Sequence, residues 1–474
     1  VIERKTIKLH QSIGITRIEN EPYVALFDKP GTGKSLQVIR GLSEVPVVVL
    51  VCPAQVKINW TDKEWGELAK WGSNISVNDI GGRDSKLRVG YWERLWYVVT
   101  YEWLRANLEK FYKSLGDRPF ALVLDESSFI KNYKSKQWIA CYGLRYGKIK
   151  KKVGRSTKWL QVRPPAERCI LMNGTPVSNN LADLWAQFQV LDKDILDMTF
   201  WVFRATHCVM GGFLGKQIVG HRNEGKLMEK LSPYILQRGI EILNLPEQTS
   251  KVVEIPLTDS TWKLYKQMRD ELIVYLEDEV TTAEQAVVKV LRLSQITSGI
   301  LGGFEGETKT ISKEKTNWLL EWLNEINEPV IVWSWWRADI ENLWNAITAL
   351  KTWSVYRLVG GESKEGIHQF HPANSSSNRI LLLAQPAAGG MGLNLAKASK
   401  QVYLSKNFSW LIREQSQARV YRTGQENSVQ TLDVLATGPK GQKTIDYQVH
   451  KAVVKKEKLG EWVKEEWIKI LREE

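Results

Sequence analysis

The sequence has 474 residues, 43% of them hydrophobic and 25% charged, which fits a soluble globular chain of two or three domains. Its 66 Lys+Arg against 53 Asp+Glu leave a net charge of +13, so a polyanion, nucleic acid first, is the expected partner. Cys52, Cys141, Cys169 and Cys208 form no CxxC pair, which argues against a zinc ribbon and a disulfide framework, and no apolar run approaches the roughly 18 residues of a membrane span.

Short apolar runs recur along the first half: YVALF (Tyr23–Phe27), VVVLVC (Val47–Cys52), WYVVT (Trp96–Thr100), FALVL (Phe120–Leu124) and RCILM (Arg168–Met172). Each has strand length and almost no polar face, as suits strands buried on both sides of a parallel sheet. Helical spacing lies between them, for example Leu36, Ile39 and Leu42, so the pattern reads as a doubly wound α/β layer. Residues 178–295 read as mostly helical. The strand pattern restarts with PVIVWS (Pro329–Ser334), RILLLA (Arg379–Ala384), KQVYL (Lys400–Leu404) and QTLDVL (Gln430–Leu435). Two α/β lobes follow, with their boundary near Leu245-Pro246: residues 1–245 with a helical insertion, and residues 246–474 with a helical insertion and a charged C-terminal helical segment. In that segment Val453, Leu459, Val463 and Ile470 are candidate docking residues. Arg145–Lys158 carries seven basic residues and no acid, and reads as a solvated loop or, alternatively, a phosphate-contacting one. His368 and His371 have no third ligand near in sequence and read as surface.

Three stretches carry candidate chemistry. DKPGTGKS (Asp28–Ser35) ends like a phosphate-binding loop, although the glycine of the full pattern would fall at residue 28, which is aspartate. Gly31 and Gly33 let successive N–H groups face a phosphate, and the helix starting at Lys34 adds a positive dipole end. Lys34 would reach the β- and γ-phosphates, and Ser35 would hold Mg2+. In LVLDESS, Asp125 and Glu126 stand together at a strand end, where two desolvated carboxylates need a cation or hydrogen bonds. Asp125 is then a Mg2+ ligand and Glu126 a proton acceptor for water. In QSQARVYRTGQ (Gln415–Gln425), Arg419 and Arg422 are three apart and would share one helix face.

The ordered set of LHQSIG, DKPGTGKS, VLVCPAQVKINW, VVTYEWL, LVLDESSFIKN, LMNGTPVSNNLADLW, VIVWSWW, PAAGGMGLNLAKAS and QSQARVYRTGQ resembles the Swi/Snf-type branch of helicase superfamily two, ATP-driven DNA translocases of compact phage or bacterial kind. The resemblance covers nearly the whole chain. It implies two RecA-like lobes, ATP and Mg2+ as the bound groups, and double-stranded DNA, branched or forked forms included, as the partner. It also implies a DNA-dependent ATPase that translocates on or remodels duplex DNA, a monomer when free, with no membrane, in the cytoplasm of a bacterial cell or phage-infected host. By the same resemblance Gln11 reads adenine. Gly31, Thr32, Gly33, Lys34, Ser35 and Gly392 bind nucleotide, and Arg419 and Arg422 are the arginine fingers. Pro53, Thr100, Tyr101, Gly174, Thr175, Gly390 and Asn394 fall in motifs facing DNA, and Asp28 is the acidic residue with which the branch's loop typically begins.

Two positions depart from the family pattern: Ser128 stands where histidine is usual, and Asn173 where Thr or Ser is usual. Both belong to motifs that relay hydrolysis to motion. They keep open a nucleotide-sensing DNA-binding module with weak hydrolysis, and a strand-separating DNA or RNA helicase is a further alternative.

Overall fold

The computed structural model describes residues 7–81, 94–154, 156–174, 176, 181–211, 217–277, 283–302, 308–362, 366–372, 374, 379–389 and 393–455. The chain divides into two units, Val1–Asn244 and Leu245–Glu474, each built around its own sheet.

In the first unit the strands are β1 (Tyr23–Leu26), β2 (Val47–Cys52), β3 (Ser76–Ile80), β4 (Leu95–Thr100) and β5 (Ala121–Asp125). An antiparallel hairpin, β6 (Lys148–Val153) with β7 (Ser156–Gln161), precedes β8 (Arg168–Met172). A second hairpin, β9 (Cys208–Gly211) with β10 (Gln217–His221), and the short β11 (Ile235–Leu236) follow. The sheet order is β11-β1-β8-β5-β2-β4-β3, and every pairing is parallel. Val48 to Val51 have no exposed surface, as expected of branched residues covered by helices on both faces. Because all strands run one way, the loops that follow β1, β2, β4, β5 and β8 gather at one carboxyl edge, where α/β sheets bind ligands.

The second unit contains β12 (Gln248–Pro256), the small pair β13 (Ile300–Leu301) and β14 (Lys309–Thr310), then β15 (Val330–Trp333), β16 (Ser354–Leu358), β17 (Ile380–Ala384), β18 (Lys400–Tyr403) and β19 (Val429–Thr437). Its main sheet has the order β12-β19-β18-β15-β17-β16, again parallel throughout. The expected α/β class, two doubly wound parallel sheets with helical insertions, is the observed one.

Residues 178–295 are mostly helical, as expected, and also contain the β9–β10 hairpin and β12, which pairs with β19 over nine residues. Arg145–Lys158 is not a loop. Arg145 stands in the last turn of the helix Lys136–Tyr146, buried, donating to the carbonyls of Ala166 (2.7 Å) and Leu191 (3.2 Å), and the lysines after it lie in the β6–β7 hairpin. In the C-terminal segment the helix Ile445–Val454 docks through Ile445, Val449 and Ala452 as well as Val453, while Leu459, Val463 and Ile470 lie outside the described residues.

Candidate nucleotide site and motif loops

The loop after β1 turns on two glycines. Gly31 and Gly33 have φ of 88° and 85°, a region that side chains with a Cβ rarely enter, and a Cβ on Gly33 would strike the Gln11 amide. Gly33 caps the helix Lys34–Gly41, so Lys34 and Ser35 stand in its first turn. Thr32 is buried, and its hydroxyl donates to the Lys29 carbonyl at 3.0 Å. The Lys34 ammonium donates to the carbonyls of Asp28 (2.7 Å) and Lys29 (3.3 Å). Gln11, on the helix Leu9–Asn20, donates to the Thr32 carbonyl at 3.1 Å and accepts from Lys8 N at 3.0 Å, so it braces the loop directly.

Asp28 has no exposed surface. Arg238 holds it from the far end of the unit: Nε donates to Oδ1 at 2.9 Å, Nη2 pairs with Oδ2, and Nη2 also donates to Gln37 Oε1 at 2.8 Å. The same guanidinium donates to the His10 carbonyl, and Lys29 N donates to the Arg238 carbonyl at 2.9 Å. Pro30 packs against Gly174, where a Cβ would lie 2.9 Å from the Pro30 ring. Asp28 and Pro30 thus fix the loop to β11's exit and to β8's exit. Neither Arg238 nor Gln37 carries a motif, and Arg238 lies 210 positions away from Asp28, beyond any spacing argument.

Asp125 closes β5. Its Oδ2 accepts from Trp60 Nε1 at 2.8 Å and its Oδ1 from Glu126 N at 3.0 Å, while its carbonyl accepts from the Tyr101 hydroxyl at 2.8 Å. Burial, and then the adjacent Glu126, push the Asp125 carboxyl up to about 6, against the pull of the Trp60 hydrogen bond and of Lys34. Glu126 adopts left-handed φ and ψ of 53° and 57°, a costly conformation for a residue with a side chain. Beyond it the buried Ser127 hydroxyl donates to Gln187 Oε1 at 2.6 Å, and Gln187 Nε2 donates to the Pro176 carbonyl at 2.8 Å. This ties the carboxylate turn to the loop after β8.

The residues expected to face DNA divide. Pro53 follows β2 and is buried, its carbonyl accepting from Val56 N at 3.0 Å. Thr100 caps the helix Tyr101–Leu115 by accepting from Trp103 N at 3.1 Å. Tyr101 has no exposed surface and stacks on Phe129 with ring centroids 5.2 Å apart. Expecting Tyr101 on a DNA track is therefore corrected: its hydroxyl positions the end of β5. Gly174 lies at the carboxyl edge, and Thr175 lies outside the described residues.

In the second unit the helix Trp410–Val420 ends before Arg422, so the shared helix face expected for Arg419 and Arg422 is corrected: Arg419 stands in the last turn and Arg422 beyond the cap at Tyr421. The two still meet one loop. Leu395 N donates to the Arg419 carbonyl at 3.0 Å, and Arg422 Nη1 donates to the Leu393 carbonyl at 2.8 Å. Asn394 lies between, accepting from Ala396 N at 3.3 Å, whereas Gly390 and Gly392 are outside the described residues. No His/Cys/Asp/Glu cluster of three fit for a metal occurs among the described residues, and all four cysteines are buried and free.

A glycine-turned loop opening a helix after a strand of a parallel sheet, with paired carboxylates ending another strand of that sheet, defines the class: an α/β fold of P-loop type. A family model described as "SNF2-related domain" matches residues 16–301, more than half of the chain, and the chain belongs to that family. An "Uncharacterized ATP-dependent helicase" of Mycoplasma pneumoniae is 25% identical over 460 residues, covering 91% of this chain and 40% of its own length. A "DNA repair and recombination protein RAD54-like" of Danio rerio is 23% identical over 526 residues, covering 94% of this chain and 66% of its own. This chain thus spans less than half of the former's length. The solved "Sulfolobus solfataricus SWI2/SNF2 ATPase core in complex with dsDNA" aligns with TM-score 0.42 and 21% identity, covering 98% of this chain and 95% of that one.

Proposed function

We propose that the chain is the ATP-hydrolysing motor core of a protein that moves along or remodels double-stranded DNA, branched or forked forms included. The observation that carries this reading is the gathering of Lys34 and the Asp125–Glu126 pair at one edge of one sheet. Strands β1 and β5 flank β8, so their loops are two strand spacings, about 10 Å, apart. Membership of the SNF2-related family and the names of its relatives, an ATP-dependent helicase and a DNA repair protein, support it. We further propose that the chain is a monomer when free and works in the cytoplasm of a bacterial cell or phage-infected host.

The site suits a divalent cation. Asp125 resists ionisation through burial and Glu126, and each of its oxygens accepts one protein hydrogen bond and retains lone-pair capacity. Asp125 and Ser35 would hold Mg2+, which when bound polarises phosphoryl oxygens. The N–H groups of the Gly31–Gly33 turn cradle phosphate, and Lys34 exchanges the Asp28 and Lys29 carbonyls for phosphate oxygens. Glu126 takes the proton of the attacking water. Gln11 is the proposed reader of the adenine base, and Arg419 and Arg422 are the proposed cations for the transferred phosphate, a role worth about 10³–10⁵ in rate in related enzymes. Gly392 joins the nucleotide set, while Pro53, Gly174, Thr175, Gly390 and Asn394 form the proposed DNA-facing loops, whose grip on the phosphate backbone is independent of sequence.

Displacement of a triplex-forming strand by the full chain tests translocation. The expected result is ATP-dependent release of the third strand while a forked duplex stays annealed. Unwinding of the fork without triplex release would instead assign a strand-separating helicase.

A further inference from the structure

The basic β6–β7 hairpin is absorbed neither by the nucleotide site nor by the motif loops. It stands on the opposite edge of the first sheet. Glu167 N donates to the Phe120 carbonyl just before β5, and Ala166 N to the Arg145 carbonyl, so the hairpin returns to the chain at the amino-terminal ends of β5 and β8. Those strands have five residues each, which separates this edge from the carboxyl-edge loops by about 17 Å.

The ribbon is firmly rooted. Ile149 is buried, Trp159 packs on Tyr142 at 5.0 Å, and Gln161 Nε2 donates to the Tyr146 carbonyl at 2.8 Å. Above that root, Lys150, Lys151, Lys152 and Lys158 are exposed. Lys151 and Lys158 are direct cross-strand partners, a like-charge juxtaposition that destabilises a sheet. Glu109 pairs with Lys151 at 3.1 Å, and among the described residues no second ion pair touches the ribbon. A firmly rooted two-stranded ribbon carrying lysines on both faces, with Lys151 paired to Glu109 and Lys150 lying 5.8 Å over the Trp159 ring, matches a phosphate backbone in charge, and a ribbon of this width enters a major groove.

We propose that the β6–β7 ribbon binds the phosphate backbone of a second segment of duplex DNA, separate from the segment engaged by the carboxyl-edge loops. This rests on the duplex-DNA reading above. It predicts that the protein prefers DNA able to present two duplex segments at once, such as a three-armed junction, over a short blunt duplex.

The test uses the full chain with K150Q/K151Q/K152Q/K158Q, and separately E109Q, measuring affinity for a short duplex and a three-armed junction across a salt series. For the quadruple variant the expected result is a loss of about tenfold or more on the junction, with a salt slope shallower by about 2 to 4, and short-duplex affinity close to the parent's. Its melting temperature should stay close to the parent's, since the lost Lys151–Glu109 pair and the relieved Lys151–Lys158 repulsion are both at exposed side chains and of similar small size. E109Q should bind the junction more tightly with a steeper slope, a gain that misfolding does not produce. Parental affinity and slope in the quadruple variant would overturn the proposal, leaving a merely solvated ribbon. Equal loss on both DNAs would also overturn it, by placing the ribbon on the main track. A parent that binds neither DNA would instead defeat the duplex-DNA reading itself, which separates the two failures.

Discussion

Trp60 fixes Asp125 by one hydrogen bond from an indole that is stacked on Trp96, with ring centroids 6.4 Å apart. Trp60→Phe keeps an aromatic ring there and removes the donor. A hydrogen bond to a charged group contributes about 1.5–3 kcal/mol to stability, and the buried indole leaves a cavity, so the melting temperature should fall, and steady-state ATPase measured well below the transition should fall as well because Asp125 loses its positioning donor. A second residue governs stability in the other unit. Burial pushes the Asp339 carboxyl from 3.8 up to about 7, against hydrogen bonds led by that of Ser334. Between those values the folded protein holds a proton that the unfolded chain has released, so stability falls as pH rises through the window. In Asp339→Asn that fall should flatten, as read from urea unfolding at pH values across the window. Unchanged pH dependence in the variant would show that the proton resides elsewhere.

At the scale of elements, the phosphate loop is held from outside itself. Removing Arg238 leaves Asp28 buried without its cation, so Arg238→Met should destabilise the first unit by on the order of 3 kcal/mol in denaturant unfolding. Gly14→Ala should act on the same loop from another side, because its Cβ would collide with the Gln37 amide that links Arg238 and Asp28. Raised KM for ATP with little loss of helix content is the expected result. The elements legible from sequence were the central strands, whose residues are apolar on both faces. Four strands that sequence reading missed, β3, β11, β12 and β16, are the four edges of the two main sheets. Edge strands mix polar and apolar residues: β12 exposes Ser250, Lys251 and Val252, so the pattern of continuous burial fails there. The ribbon was missed for a related reason, since its run of lysines leaves no apolar alternation to read. The phosphate loop and the carboxylate pair were legible because local spacing dictates them. The supports of Asp28 and Asp125 were not, because Arg238 and Trp60 reach them only through tertiary folding.

On the scale of the whole molecule, the chain has two α/β units and a family assignment, and its net charge of +13 agrees with a polyanionic partner. Among the described residues no helix is long and apolar enough to cross a membrane. Ser127, Gln187 and Pro176 supply a hydrogen-bonded link between the carboxylate turn and the loop after β8. The central claim is that hydrolysis at Lys34, Asp125 and Glu126 is driven by duplex DNA. Steady-state ATPase of the full chain, with and without double-stranded DNA and beside Lys34→Ala, tests it most directly. Stimulation by duplex DNA well above the basal rate, abolished in Lys34→Ala, is the predicted result; a rate indifferent to duplex DNA, or one that survives Lys34→Ala, would contradict it.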